Sequence, residues 1–144
     1  MRRSIMTLLP LLLAGATGCG AVGATQEAVS PTTVRVLVRD INIRAAGVDC
    51  AGTGPYTHFH NRAPYRVLDP DGAAVASGQL PAGTAVAAFA EDLGVERMPT
   101  YCEFAVAVRV PQRASYRLEV DGRPALDLTS DSSEGPALVA VVPS

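Results

Sequence analysis

Ten consecutive residues, 101–110, alternate between two sets of side chains, and this pattern constrains the fold more than any other segment. Successive side chains of a β-strand point to opposite faces, so the alternation predicts a long strand with one buried face. Pro111 lacks a backbone donor and predicts the end of this strand. The buried face would carry Cys102, Phe104, Val106, Val108 and Val110, and the other face Tyr101, Glu103, Ala105, Ala107 and Arg109.

Shorter segments repeat this alternation and are separated by turn sequences. Asp69-Pro70-Asp71-Gly72 and Asp121-Gly122 are typical of tight turns between paired strands. The chain is therefore predicted to be all-β, an antiparallel β-sandwich of about seven to eight strands. The expected strands are 34–38, 65–67, 73–80, 84–90, 101–110, 116–120, 126–128 and 138–142.

Two connections are less regular. Val34, Val36 and Val38 are even-numbered, whereas Ile41 and Ile43 are odd-numbered, which predicts a bulge or a bend near Arg39-Asp40. Residues 91–99 form an acidic loop in this interpretation, and residues 85–93 could instead form one or two helical turns.

The amino-terminal segment has the organisation of a lipoprotein signal. Arg2 and Arg3 precede a short apolar stretch, 5–14, and small residues then lead to Cys19. A membrane span needs about 20 apolar residues, so this stretch is too short to be one. We expect residues 1–18 to be a lipoprotein signal peptide and Cys19 to carry fatty acyl chains that anchor the protein to the outer face of the cell membrane. An ordinary secretory signal with an incidental cysteine, or an uncleaved anchor, is the alternative.

The remaining chain divides into two parts. Residues 19–33 are small and polar and predict a flexible tether, and residues 34–144 predict the β-sandwich domain. Without the first 18 residues the chain carries 10 arginines, no lysine and 14 acidic residues. Nucleic acids need clustered positive charge, so no nucleic acid is expected as a partner. No cofactor is expected either.

The cysteines predict one cross-link. With Cys19 assigned to lipid, Cys50 and Cys102 are left as an even pair in an oxidising compartment, which favours a disulfide between them. A disulfide closing a loop of roughly 50 residues would stabilise the fold by about 4 kcal/mol. Two buried free thiols or a redox couple are the alternatives, although neither cysteine lies in a Cys-x-x-Cys motif.

Two resemblances involve these residues. Val67-x-Asp69-x-x-Gly72, Ala76-x-Gly78-x-Leu80 and Tyr116-x-Leu118-x-Val120 resemble transthyretin-like or carboxypeptidase-regulatory-like sandwich modules. Cys50-x-Gly52-x-Gly54-x-Tyr56, together with Cys102-x-Phe104, is similar to a group of uncharacterised exported proteins and lipoproteins of GC-rich Gram-positive bacteria. The first resemblance implies a sandwich fold and the second an exported protein, and neither assigns an activity.

Candidate chemistry is sparse. His58 and His60 would lie on one face of an extended segment and could share a metal ion, with Asp49, Glu91, Asp92 or Glu96 as further ligands. Two surface histidines in a loop are the simpler interpretation. A hydrolase could use Ser77, Ser115 or Ser130 with His58 as the base, but none of these serines lies in a Gly-x-Ser-x-Gly motif.

These observations lead to one main hypothesis and two alternatives. We expect a non-catalytic envelope lipoprotein that presents its β-sandwich to a partner protein or a cell-wall polymer. The alternatives are a metal-binding envelope module that uses His58 and His60, and a small secreted hydrolase.

Overall fold

The computed structural model describes residues 26–143. The predicted signal peptide and the lipidation site Cys19 lie outside these residues. Among residues 26–143, no helix is both long enough and apolar enough to cross a membrane. The chain forms β1 (Val29–Asp40), β2 (Asp49–Cys50), a 3-10 turn (Gly54–Tyr56), β3 (Pro64–Leu68), β4 (Ala74–Gln79), β5 (Gly83–Ala87), β6 (Thr100–Pro111), β7 (Tyr116–Val120), β8 (Leu126–Asp131) and β9 (Ala137–Val142).

The longest pairing joins β1 and β6. The two strands run antiparallel over their full lengths, from Val29 opposite Pro111 to Asp40 opposite Thr100. Their inward positions are the even-numbered residues that the alternation predicts, and Val36 and Phe104 lie opposite each other with no exposed surface. The pair therefore supplies the centre of the core.

The all-β prediction is confirmed, but the strands form one curled, mixed sheet instead of two separate antiparallel sheets. The order is β2-β5-β6-β1-β9-β8-β7-β3-β4, and β1 pairs in parallel with β9. β8 joins the β2-β5-β6-β1-β9 part of this order to the β7-β3-β4 part, because Leu126–Leu128 pairs with β7 whereas Thr129–Asp131 pairs with β9. The exchange of neighbours along one strand makes the sheet continuous, so it curls around the core as a half-barrel of nine strands.

The core consists of the inward side chains of this curled sheet. Phe59, from the segment before β3, lies against β6, with its ring centroid 6.3 Å from that of Phe104. The buried apolar set includes Val34, Val38, Val67, Leu118, Val120, Leu138 and Val142.

The first strand begins earlier than predicted. Residues 29–33, which we assigned to the tether, belong to β1. Pro31 is tolerated in β1 because the N–H that proline lacks would point away from β6. The Thr33 N–H donates to the Pro136 carbonyl, so odd-numbered residues of β1 point their backbone groups towards the β9 side. The missing donor of Pro31 therefore costs no hydrogen bond with β6.

The predicted disulfide between Cys50 and Cys102 is confirmed, with a Cα–Cα distance of 5.7 Å. It attaches the two-residue edge strand β2 to β6. Gly83 allows this close packing, because a Cβ atom there would lie 2.5 Å from Cys102 Sγ and 2.9 Å from a ring carbon of Phe104. The cross-link and the glycine together fix the short edge of the sheet.

We predict that the Cys50→Ala/Cys102→Ala variant loses about 4 kcal/mol of unfolding free energy, because the unfolded chain regains the freedom of a long loop. Urea denaturation with and without reductant measures this loss. Reductant should destabilise the wild-type protein and leave the double variant unchanged. A double variant as stable as the oxidised protein would contradict the assignment of a stabilising role.

Candidate functional site

Exposed apolar side chains are concentrated at one end of the protein. Six of the eight large apolar side chains that are exposed among the described residues lie in two connections. The β1–β2 connection contributes Ile41, Ile43 and Val48, and the β5–β6 connection contributes Phe89, Leu93 and Val95. We call these six residues the apolar end.

The two connections are neighbours because of the sheet order. β5, β6 and β1 are adjacent in the sheet. Asp40 at the end of β1 and Ala87 at the end of β5 both pair with Thr100, so the β1–β2 and β5–β6 connections leave the sheet at the same end of these strands. Ile41, Ile43 and Phe89 line a shared surface depression of about 550 Å³, which Arg39 and Tyr101 also line. One backbone hydrogen bond joins the β1–β2 connection to β5, from the Gly47 N–H to the Ala85 carbonyl at 2.8 Å. Another closes the β5–β6 connection, from the Ala88 N–H to the Pro99 carbonyl at 2.9 Å.

Asp40 organises the first connection. Its carboxylate has no exposed surface, and it accepts hydrogen bonds from the Asn42 N–H at 2.8 Å and from Arg44 Nε at 2.7 Å. The bond from an aspartate to the N–H two residues later closes an Asx turn. The turn ends β1 and directs Ile41 outwards, where 73% of its surface is exposed.

Asp92 closes the same kind of turn in the β5–β6 connection. Its Oδ1 atom accepts a hydrogen bond from the Gly94 N–H at 2.9 Å. Gly94 has a φ angle of +65°, which a glycine adopts without strain. Leu93 lies at the centre of this turn and is 52% exposed.

Turn geometry does not account for Ile41 and Leu93, the aliphatic residues at the central positions of these two turns. The other Asx turns of this kind, Asp69 to Asp71 and Asp131 to Ser133, have Pro70 and Ser132 at the centre. Proline and serine are favoured in turns, whereas isoleucine and leucine are not. An exposed large aliphatic side chain also forgoes about 1.5–3 kcal/mol of burial. Neither turn geometry nor burial therefore accounts for Ile41 and Leu93 at these positions.

The β5–β6 connection also carries three acidic residues. Glu91, Asp92 and Glu96 are exposed, and within the described part of the chain none of them lies within ion-pair distance of an arginine. Arg97 is the single base of the same connection, Arg44 is bonded to Asp40, and the exposed Arg39 lines the depression. The β5–β6 connection is therefore acidic, whereas the depression itself is lined by an arginine.

The two histidines occupy different environments. His58 packs on Phe59, with ring centroids 4.2 Å apart, and lines an apolar cavity of about 190 Å³ with Tyr56 and Leu126. Its Nδ1 atom is buried and has no hydrogen-bond partner among residues 26–143. Burial, followed by the positive charge of Arg123, lowers the pKa of His58 below the usual value of 6.5.

His60, by contrast, is exposed, and its Nδ1 atom lies 2.8 Å from the backbone oxygen of Asn61. Across the described residues, no three His, Cys, Asp or Glu side chains are grouped so that they could hold a metal ion. Asp49 lies in β2, while the other suggested ligands, Glu91, Asp92 and Glu96, belong to the β5–β6 connection. The metal-binding hypothesis stays a prediction without a ligand set.

The candidate serines are dispersed. Ser77 lies in β4, as the predicted hairpin requires, and Ser130 lies in β8, where it lines a groove of about 400 Å³ with Tyr116 and Asp131. Ser115 is exposed in the connection before β7. No hydrogen bond joins any of these serines to His58 in the part of the chain that the structure describes.

The apolar end was missed by the sequence interpretation. The bend after β1 was predicted and is present at Ile41-Asn42, but the two isoleucines face solvent, not the core. The acidic loop was also predicted, and the alternative of a helical turn over residues 85–93 is wrong because β5 extends to Ala87. The overlooked signal is the sequence Asp40-Ile41-Asn42-Ile43, which places turn-forming residues between aliphatic ones.

Comparison with known proteins adds no relative. No protein-family model, curated protein or solved structure matches this chain.

We predict that acidification weakens the fold through His58. Because its folded-state pKa is lowered, the unfolded chain binds the proton first, so the stability is complete above about pH 6.5 and is lost as the pH falls below it. Urea denaturation between about pH 7.5 and 5.5 measures this slope. The His58→Asn variant should show a reduced slope, and the matched His60→Asn variant should keep the contribution of His58. An unchanged slope in His58→Asn would contradict the prediction.

Proposed function

We propose that the protein is a non-catalytic cell-envelope lipoprotein that binds another envelope protein through its apolar end. The observation that carries the proposal is the surface depression that exposed Ile41, Ile43 and Phe89 line together. Contiguous exposed apolar surface is uncommon on a monomeric protein and marks interaction sites.

The position of the apolar end supports this role. Val29 and Asp40 are at opposite ends of β1, which at roughly 3.3 Å per residue spans about 36 Å. An acylated Cys19 would be connected to the domain through Val29, ten residues later in the sequence. The point where the anchoring segment enters the domain and the apolar end are therefore at opposite ends of β1, which leaves the apolar end free to face away from the membrane. The mass of the mature protein measures the acylation.

The chemistry of the apolar end favours a protein partner over a cell-wall polymer. Its side chains are mainly aliphatic, and they offer no hydrogen bonds to the hydroxyl groups of a glycan. Aliphatic and aromatic side chains do form the desolvated centres of protein–protein interfaces. Among the alternatives, no observation on the described residues favours the metal-binding module or the hydrolase.

We predict that a benzophenone amino acid in place of Ile41 forms a covalent adduct with another envelope protein when intact cells are irradiated. The matched control places the same group at Val141, an exposed apolar position on β9 that is 41% accessible. The adduct should be detected as a discrete heavier species from position 41 and be weak or absent from position 141. Equal labelling from both positions, or labelling from position 141 alone, would contradict the proposed binding surface.

A further inference from the structure

We propose that the groove of about 400 Å³ at the Val29 end of β1 is a binding site for an uncharged carbohydrate. The groove and the apolar end lie at opposite ends of β1, so this site is separate from the surface to which we assign a protein partner. Small-molecule sites usually measure about 300–1,000 Å³, and the mouths of curled β-sheets that close into barrels are a common place for them.

The inward face of β1 changes from apolar to hydroxyl-bearing side chains where the groove begins. The inward positions of residues 34–38 are buried valines, whereas the two inward positions before them are Ser30 and Thr32. In the β1–β6 ladder Ser30 lies opposite Val110 and Thr32 opposite Val108, and both of these valines are buried. Directly opposed residues of a ladder share a face, so Ser30 and Thr32 belong to the inner face of the sheet.

Two further strands show the same change of character. On β8, Ser130 is the inward position after the buried Leu128, and it lies opposite the buried Leu138 of β9. On β7, Tyr116 lies opposite Leu128 and shares its face. The groove is therefore lined by inward, hydroxyl-bearing residues of three strands, together with the apolar side chains of Val110 and Leu138.

Tyr116 is held in place through its hydroxyl group. This group donates to the Pro111 carbonyl and accepts a hydrogen bond from the Arg113 N–H at 2.9 Å. Pro111 ends β6, which is four places away from β7 in the sheet order, so the tyrosine side chain reaches across the curl of the sheet. A side chain that is already fixed loses little conformational freedom on binding. The ring is only partly buried, which leaves part of it available to a ligand.

The groove offers no opposite charge to an anionic ligand. Its lining, all of it within the described part of the chain, contains no base and a single carboxylate, that of Asp131. Asp131 follows the inward-facing Ser130 and lies opposite Ala137, so its position in the ladder is on the outer face of the sheet. The inward positions of the groove are uncharged, and they therefore favour an uncharged ligand over a phosphate or a carboxylate.

The remaining chemistry matches a carbohydrate. Serine and threonine hydroxyls donate and accept hydrogen bonds, as do the hydroxyl groups of a sugar. The Thr32 hydroxyl already donates to the Pro136 carbonyl at 3.0 Å, so it is left to act as an acceptor towards a ligand. The C–H face of a sugar ring can pack on Tyr116 and Val110. A purely apolar ligand would instead bury the hydroxyl groups without partners, which costs free energy.

The test measures binding of the purified full-length protein to two sources of carbohydrate. An array of immobilised oligosaccharides, some uncharged and some containing uronic acids, presents free sugars, and protein-free cell walls of the source organism present the polymer. We expect binding to uncharged oligosaccharides, and at least about 10-fold weaker binding to those with uronic acids, because no base lines the groove. Binding to the cell walls as well would identify the polymer as the source, and binding to the array alone would identify a free sugar.

Variants assign the binding to the groove, with the strongest uncharged oligosaccharide of the array measured by isothermal titration calorimetry. Ser130→Leu fills the groove with an aliphatic side chain and should weaken binding at least about 10-fold. Thr129→Leu is the matched control, because it places the same side chain on the outer face of the same strand and should leave the affinity unchanged. Ser30→Ala removes one hydroxyl group and should weaken binding about 3- to 10-fold.

Three results would overturn the inference. These are no binding to either the array or the cell walls, equal or tighter binding of the oligosaccharides with uronic acids, and an affinity of Ser130→Leu equal to that of Thr129→Leu. The inference does not depend on the proposed function, so Ser130→Leu should leave the crosslink from position 41 unchanged. Loss of that crosslink in the wild-type background would remove the proposed function and leave the carbohydrate site standing.

Discussion

The antiparallel ladder between β1 and β6 determines where every other part of the protein lies. It pairs Val29 with Pro111 at one end and Asp40 with Thr100 at the other. β9 adds to one side of this ladder and β5 to the other, so the curled sheet grows outwards from it. Because the ladder is long, the amino-terminal end of the domain and the apolar end are separated by its whole length.

The carboxylate of Asp40 determines how the chain turns where β1 ends and the apolar end begins. Asp40 is the last residue of β1, and its buried side chain would be costly without the Asn42 and Arg44 hydrogen bonds. Those same bonds turn the chain and expose Ile41. The interaction that satisfies a buried charge thus also displays an aliphatic side chain, so the fold and the proposed binding surface share a single group.

Local patterns predicted much of this fold. Alternation placed β7 at Tyr116–Val120 and β6 within one residue at each end, and the even number of remaining cysteines predicted the disulfide. The parallel pairing of β1 with β9 was missed, because it joins residues about 100 positions apart and leaves no local pattern. The change of neighbours along β8 was missed for a different reason: both partners, β7 and β9, are adjacent to β8 in sequence, but alternation marks a strand and does not say which residues of it pair with which neighbour. Ile41 was misread because an aliphatic residue beyond a strand looks like a continuation of the core pattern.

Hydrogen–deuterium exchange of the protein in isolated native envelopes, compared with the purified protein, tests the central claim most directly. If the apolar end is the binding surface, the amides of residues 41–48 and 88–97 exchange more slowly in envelopes, and those of the outer strand β4 exchange equally in both samples. Protection of β4 or of the 126–141 face, with unchanged exchange at residues 41–48 and 88–97, would contradict the account.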